Sequence, residues 1–221
     1  MKPKHFINLH KAPTFPFILT LMFIYHNFNF GAWVYLALHG TYGLLWLLKD
    51  QIYPDKQWEQ ENSAGTGILG LVSVSLYWVA PFILISSGSQ PPLPLVAAAI
   101  SLNIIGVFLA YTGDAQKYYT LKYRPGLITE GFFARSRNTN YLGEILIYGS
   151  FAMLVQHWLP FLIVAAFIAG VFIPNMIKKD RSLGRYPEFA DYKARSGILL
   201  PRLFGSTDIE QKKDSLEEKV G

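Results

Sequence analysis

The sequence predicts an all-α fold, a polytopic membrane helical bundle with about six transmembrane helices. Apolar residues make up 51% of the 221 residues and aromatic residues 15%, whereas only 16% are charged. Soluble domains carry about 25% charged residues, so this composition indicates a protein that lies in a lipid bilayer. The chain has no cysteine, which excludes a disulfide framework, a thiolate nucleophile and a cysteine metal site.

Each predicted span is a separate apolar run of the sequence. The runs cover residues 15–28, 32–48, 67–85, 93–111, 141–156 and 158–177. The first run reaches the minimum of roughly 17 residues only when residues 12–14 are added to it. No small-residue cleavage site follows it, so we interpret it as a retained span rather than as a signal peptide.

Positive charge is confined to one side of these spans. All 20 lysines and arginines fall in the N-terminal arm, residues 49–66, residues 112–140 or the segment from residue 178 onward. None falls in the alternate loops, at 27–31, at 86–92 and around His157. The positive-inside rule therefore predicts that both termini and the 112–140 loop are cytosolic, at the endoplasmic reticulum or a bacterial inner membrane. The same loops explain the net charge of +5 without nucleic acid as a partner.

A polar, glycine-punctuated segment, residues 113–144, lies between the fourth and fifth predicted spans. Its cationic side chains are Lys117, Lys122, Arg124, Arg135 and Arg137. Such a cluster suits the phosphates of a nucleotide, and equally the headgroups of anionic lipids. Arg135 and Arg137 are the best candidate phosphate ligands, because a guanidinium group can hold a phosphate bidentately. Anionic-lipid contact and a simple topology signal remain alternatives for both arginines.

Asn140 and Glu144 are four residues apart and share one face of the helix that is predicted to begin near Tyr141. Asn138 or Asn140 can cap that helix, and helix N-termini attract anions. An acid just inside a span costs at least about 2.5 to 3.5 kcal/mol unless it is paired or faces a cavity. Glu144 is therefore a candidate site residue, with a structural pair between two helices as the alternative.

The second predicted span carries a polar stripe. At 100° per residue, His39, Trp46 and Asp50 fall within about 20° of one line, and Tyr42 lies about 60° away from it. A polar stripe on an intramembrane helix points toward a partner or a cavity.

The C-terminal segment is predicted to lie at the cytosolic face. Tyr186, Phe189 and Tyr192 are spaced three apart, which predicts a short amphipathic helix that could cover a pocket. We interpret Lys178, Lys179 and Arg181, which precede it, as anchors at the membrane interface.

The motif Arg137-Asn-Thr-Asn-Tyr-Leu-Gly-Glu144 stands between Gly131-Phe-Phe and the distal pair of Tyr192-Lys-Ala-Arg195 and Pro201. Together these residues resemble the C-terminal domain of the steroid 5-alpha-reductase family, of the DUF1295 type. The resemblance covers roughly residues 110–204. The family is distantly similar to the isoprenylcysteine carboxyl methyltransferases, which read Arg-His-Pro-x-Tyr-x-Gly at this position.

The resemblance implies a cofactor site for NADPH. It implies that Asn140 and Glu144 bind the nicotinamide half of the cofactor. It also implies that Tyr192 and Arg195 close over the cofactor. Asp114 and Lys117 match an acid and a basic residue on the adenosine and phosphate side, although Gly113 replaces the serine of that motif. A surface ion pair between Asp114 and Lys117, worth under about 1 kcal/mol, is equally compatible with the sequence.

The resemblance also implies a catalytic pair. In the reductases, an acid from the second span region and a tyrosine from the next span donate a hydrogen bond to the substrate carbonyl. By position, Asp50 and Tyr77 are the candidates, with His39 and Tyr42 as the alternative pair. No two histidines have metal-ligand spacing, so no metal is predicted.

We therefore expect an NADPH-dependent enzyme that reduces a carbon-carbon double bond conjugated to a carbonyl, in a steroid-like or polyprenoid lipid. The alternative is an S-adenosylmethionine-dependent lipid or prenyl-protein methyltransferase, from which the sequence departs at His and Pro and by the added Glu144. A non-enzymatic membrane protein with a degenerate site is the third possibility, because Thr139 replaces the usual proline. The expected partners are the bilayer and an apolar lipid substrate, with no obligate protein partner.

These expectations divide the chain into three regions. Residues 1–111 form a four-span half on the substrate side, residues 112–205 form the cofactor-binding region, and residues 206–221 form a charged, disordered tail.

Overall fold

The computed structural model describes residues 2–59, 61 and 63–202, and no strand lies within them. Helices make up 77% of these described residues, which confirms the all-α prediction. The helices are α1 (Pro3–Lys11), α2 (Thr14–Ile24), α3 (Phe30–Tyr35), α4 (Thr41–Ile52), α5 (Ala64–Ser75), α6 (Val79–Ser86), α7 (Leu93–Tyr123), α8 (Thr139–Val155), α9 (Trp158–Phe167), α10 (Ile173–Leu183) and α11 (Phe189–Arg195). The predicted tail, residues 206–221, lies outside the described residues.

Three pairs of these helices are continuous rods with a local change of winding. A π-helical turn, Leu36–Gly40, joins α3 to α4, and another, Ile168–Phe172, joins α9 to α10. A 3-10 turn, Leu76–Trp78, joins α5 to α6. Such turns often occur at functional sites, and Tyr77 and Phe172, which line the candidate site described below, lie in two of them.

Four helical rods among the described residues are long and apolar enough to cross a membrane. They are Pro3–Ile24, Gly65–Ser86, Leu93–Tyr123 and Trp158–Leu183. These four rods support the membrane protein that the composition predicted. The predicted spans at 32–48 and 141–156 lie in the α3–α4 rod and in α8, and their crossing of the bilayer remains a prediction.

Two boundaries differ from the predicted ones. The N-terminal arm is helical, since α1 leads into α2 through Ala12 and Pro13, and the two together form one candidate span. The fourth span does not end at residue 111, because α7 continues to Tyr123. Residues in that extension are compatible with a helix until Pro125, which disfavours helical conformation in the residue before it.

The closest helix packing joins α7 to α8. A Cβ atom added to Gly143 would lie 2.5 Å from the backbone oxygen of Gly106 and 2.5 Å from the backbone nitrogen of Ala110. Asn103 Nδ2 donates a buried hydrogen bond of 3.0 Å to Ser150 Oγ across the same interface. Small residues that let backbones approach and polar side chains that join helices are both typical of membrane interiors.

The α1–α2 rod packs against α4 in the same manner. A Cβ atom added to Gly43 would lie 2.7 Å from the carbonyl oxygen of Lys11, and one added to Gly40 would lie 2.5 Å from the Phe15 ring. Because Gly43 has no side chain, the end of α1 lies directly on α4. The side chain of Lys11 therefore enters the bundle.

We predict that Gly143→Ala destabilises the protein by about 1 to 3 kcal/mol, because the new methyl group overlaps the α7 backbone. Gly149→Ala, on the same helix, is the matched control, since a Cβ atom there has no neighbour within 4 Å. The control should be neutral or stabilising by up to about 1 kcal/mol, because alanine favours helix. Thermal unfolding of the detergent-purified variants measures both effects, and equal stabilities would contradict the predicted close packing.

Candidate functional site

The candidate site is a chain of three adjoining cavities at one end of the bundle. The outer cavity, of about 440 Å³, lies between the C-terminal part of α7, the loop before α8, and α10 and α11. Among the described residues, its lining includes no carboxylate and five cationic side chains, Lys117, Arg137, Lys178, Lys179 and Arg185. This concentration of positive charge favours an anionic ligand.

Arg137 has a structural role that the sequence did not indicate. Its guanidinium group holds both carboxylate oxygens of Asp180, at 2.9 Å each, and also donates to the carbonyl and hydroxyl oxygens of Ser196. The residue is only 4% exposed. Arg137 therefore joins the loop before α8 to α10 and to the end of α11, and most of its donors are used within the protein.

The other predicted residues of this region also join the loop to the C-terminal segment. The carbonyl oxygen of Arg135 accepts hydrogen bonds from the backbone nitrogens of Gly197 and Arg202, at 2.9 and 3.0 Å. Tyr192 Oη donates to the carbonyl oxygen of Phe133 at 2.7 Å. Burial raises the pKa of Tyr192 to about 12, so it remains a neutral donor. Arg195 is half-buried in the last turn of α11.

The inner cavity, of about 120 Å³, is reached past Asn140, Tyr141 and Asn175, which line both it and the outer cavity. Other side chains that line it are Lys11, Tyr42, Lys49, Asp55, Tyr77, Asp114, Glu144 and Tyr148. Asn140, Glu144 and Tyr148 follow one another at four-residue spacing on α8 and share one helix face. The predicted pair of Asn140 and Glu144 thus lies in a polar cavity within the bundle.

Asp114 and Lys117 pair with other residues rather than with each other. Asp114 forms an ion pair with Lys49 on α4, and Lys117 forms one of 3.1 Å with Asp55. The second carboxylate oxygen of Asp114 is buried and has no hydrogen-bond partner in the part of the chain that the structure describes. An unsatisfied buried acceptor of this kind is suited to a donor from a ligand.

The third cavity, of about 590 Å³, shares Lys117 with the outer cavity and Lys49, Asp55 and Asp114 with the inner one. It also exposes Tyr53, whose pKa is raised to about 12 by burial and by the charge of Asp114. The three cavities therefore adjoin one another along these shared side chains.

The structure does not bring the predicted catalytic pair together. Asp50 accepts a hydrogen bond of 2.8 Å from Asn8, whose side-chain oxygen accepts one of 3.1 Å from Trp46. Asp50 thus joins α4 to α1 and does not line the inner cavity, whereas Tyr77 does. Tyr77 stacks on Tyr148, with ring centres 3.8 Å apart.

The alternative pair is also divided. Tyr42 lines the inner cavity, but His39 does not. His39 Nδ1 lies 3.1 Å from Tyr35 Oη, and its ring stacks on Phe151 within the helical core.

Sequence reasoning missed Lys11, Lys49 and Tyr148. Lys11 and Lys49 were attributed to flanking loops, because a lysine next to an apolar run is normally a topology signal. Tyr148 had a detectable signal, since it follows Glu144 by one helical turn. Among the described residues, no cluster of His, Asp or Glu side chains is placed to hold a metal ion.

We predict that Arg137→Leu destabilises the protein by about 3 to 5 kcal/mol, because it leaves Asp180 buried without its partner. Arg124→Leu breaks an exposed pair with Glu130 and should cost under about 1 kcal/mol. Thermal unfolding in detergent compares the two. A stable Arg137→Leu variant with reduced nucleotide affinity would instead make Arg137 mainly a phosphate ligand.

Comparison with known proteins assigns the chain to a family. Residues 50–195 match a family model described as "Protein of unknown function (DUF1295)", the domain type predicted from the motif that ends at Glu144. Neither a curated protein nor a solved structure is significantly similar to the chain. The family match spans well over half of the 221 residues, and the protein is a member of the DUF1295 family.

Proposed function

We propose that the protein is a membrane-embedded, NADPH-dependent reductase of a carbon-carbon double bond conjugated to a carbonyl in an apolar lipid. The observation that carries the proposal is that a cationic outer cavity adjoins an inner cavity lined by Glu144, with Asn140, Tyr141 and Asn175 lining both. A dinucleotide phosphate needs both features, cations for its phosphates and a separate polar enclosure for its reactive ring.

The side chains present fit such a cofactor. Lys178 and Arg185 line the outer cavity, are exposed, and form no ion pair within the described part of the chain. They are therefore better placed to bind phosphate than Arg137, which is paired with Asp180. This changes the interpretation of Lys178, which the sequence indicated as an anchor at the membrane interface.

Asn140 and Glu144 would hold the carboxamide end of the cofactor in the inner cavity. An amide group offers donors that a carboxylate accepts and an acceptor that the Asn140 side chain can satisfy. When bound there, NADPH supplies a hydride to the substrate. The enclosing helices exclude water, which strengthens each electrostatic contact inside the cavity.

The proposal includes the predicted topology of six spans with both termini and the outer cavity in the cytosol, where NADPH is available. It is supported by the positions of the lysines and arginines and by the four rods that are long and apolar enough to cross a membrane. The substrate then approaches from the lipid, and the cofactor from water.

We predict that Lys178→Ala and Arg185→Ala each lower NADPH affinity by about tenfold or more, because a charged hydrogen bond to phosphate is worth about 1.5 to 3 kcal/mol. Arg181→Ala is the matched control, since Arg181 lies on the same helix as Lys178 but does not line the cavity. Thermal shift of the purified protein gives the affinity, with NADH and S-adenosylmethionine in parallel. Stabilisation by S-adenosylmethionine alone would favour the methyltransferase alternative, and no stabilisation by any ligand would favour a non-enzymatic role.

We predict that Glu144→Gln weakens NADPH binding by about tenfold or more and reduces turnover, because the amide donors lose a charged acceptor. Glu130→Gln, which changes an exposed carboxylate, should leave both unchanged. If Glu144→Gln matched the wild-type protein in both measurements, the assignment of the inner cavity to the cofactor would be wrong.

A further inference from the structure

Lys11, at the end of α1, places a cation inside the helical bundle. The residue is 4% exposed, and its Nζ atom donates a hydrogen bond of 2.6 Å to Tyr148 Oη. The ammonium group also lies 4.2 Å from the centre of the Tyr42 ring and 5.1 Å from that of Tyr148. Aromatic faces attract cations, so the tyrosine rings help to hold the Lys11 ammonium group in place.

Lys11 forms no ion pair with a carboxylate in the described residues. Glu144 lines the same cavity of about 120 Å³ but does not pair with it. Both side chains are thus available to a polar group that enters this cavity. Because an unpaired charge inside a membrane protein is costly, such a residue marks a functional site.

An apolar crevice meets the inner cavity at this position. It lies between α6, α8 and α9, and Tyr77 and Tyr148 line both the crevice and the cavity. The rest of its lining includes Leu76, Ala80, Phe151, Ile163 and Val164. Its volume is only about 10 Å³, so side chains must move to admit a lipid. A molecule that enters from this side meets the tyrosines before it meets Glu144.

We propose that Lys11 and Tyr148 form the site that binds the carbonyl oxygen of the substrate. The inference rests on the proposed function and names the side chains that hold the reacting end of the lipid. Tyr148 donates the hydrogen bond, Lys11 supplies the adjacent positive charge, and the stacked ring of Tyr77 fixes the orientation of Tyr148. Asp50, which the sequence indicated for this task, is engaged with Asn8 outside the cavity.

The chemistry balances with these two residues. Addition of hydride to the β carbon moves the electrons of the double bond toward the carbonyl, and negative charge develops on its oxygen. Tyr148 and Lys11 stabilise that charge. Stabilisation of a developing charge by fixed donors is usually the largest single contribution to catalysis of such reactions. Tyr148 gives its proton to the substrate, where it is finally bound to the α carbon. Lys11 returns a proton to the tyrosine oxygen, and water replaces it on Lys11. Each double bond thus consumes one hydride and one proton.

The test uses 4-nitrophenol, an uncharged phenol that absorbs visible light only after it ionises, as a probe of the oxyanion site. At a pH below the pKa of the phenol itself, wild-type protein in detergent should increase its phenolate absorbance. Lys11→Met should lower the affinity for the phenolate by about tenfold or more, and Tyr148→Phe should weaken it as well, whereas Lys11→Arg should retain part of it. The probe requires no cofactor, so phenolate binding and NADPH binding are measured independently. A failure of the oxyanion site can therefore be distinguished from a failure of the proposed cofactor site.

Thermal unfolding separates a binding role from a structural one. Lys11→Met removes a buried cation that has no carboxylate partner, so its melting temperature should equal or exceed that of the wild-type protein. Either of two results would overturn the proposal. One is a lower melting temperature for Lys11→Met, and the other is unchanged phenolate binding for Tyr148→Phe. Lys178→Met tests whether the phenolate binds in the outer cavity instead. If the phenolate absorbance were lost in Lys178→Met and retained in Lys11→Met, the proposal would also be wrong.

Discussion

The close contact of α7 with α8 is the constraint on which the rest of the structure depends. Gly106 and Gly143 bring the two backbones so near that a single methyl group would overlap. This contact fixes which residues of α8 face α7 and which face the cavities. As a result, Asn140, Glu144 and Tyr148 form one polar stripe beside Asp114 of α7. In a membrane, where apolar surface gains nothing by leaving lipid, van der Waals packing and hydrogen bonds such as that of Asn103 supply this order.

A second set of interactions closes the end of the bundle that contains the outer cavity. Arg137 binds Asp180, and the backbone of residues 135–137 pairs with Gly197, so the loop before α8, α10 and the C-terminal segment form one wall. The basic residues of this region therefore divide into two groups. Arg137 and Lys179 hold the protein together, since Lys179 donates to the carbonyl oxygen of Arg137. Lys178 and Arg185 line the outer cavity and form no ion pair among the described residues.

Charge inside the bundle follows the same division. Lys49 and Lys117 are neutralised by Asp114 and Asp55, which stabilises the ends of α4 and α7 against each other. Lys11 and Glu144 are not neutralised in this way, although both face the inner cavity. A protein that only needed stability would replace such unpaired buried charges with apolar side chains. Their presence where the apolar crevice meets the inner cavity is the observation on which the proposed binding of a lipid carbonyl rests.

The sequence alone determined the class of the protein, its helices and its family, because hydropathy, helix-breaking residues and the motif ending at Glu144 are local properties. It also placed Asn140 and Glu144 on one helix face, since a four-residue spacing within one helix does not depend on partners. Only the tertiary structure decided which charges are paired. Asp50 and Asp114 look equivalent along the chain, yet one contacts Asn8 and the other Lys49. Along the chain, Lys11 likewise looks like a charge that flanks an apolar span. In the folded protein, Gly43 has no side chain, so the end of α1 lies against α4 and Lys11 enters the bundle. Such choices depend on the rotation and approach of whole helices, which are set by small residues at their contacts and leave no periodic signal in the sequence.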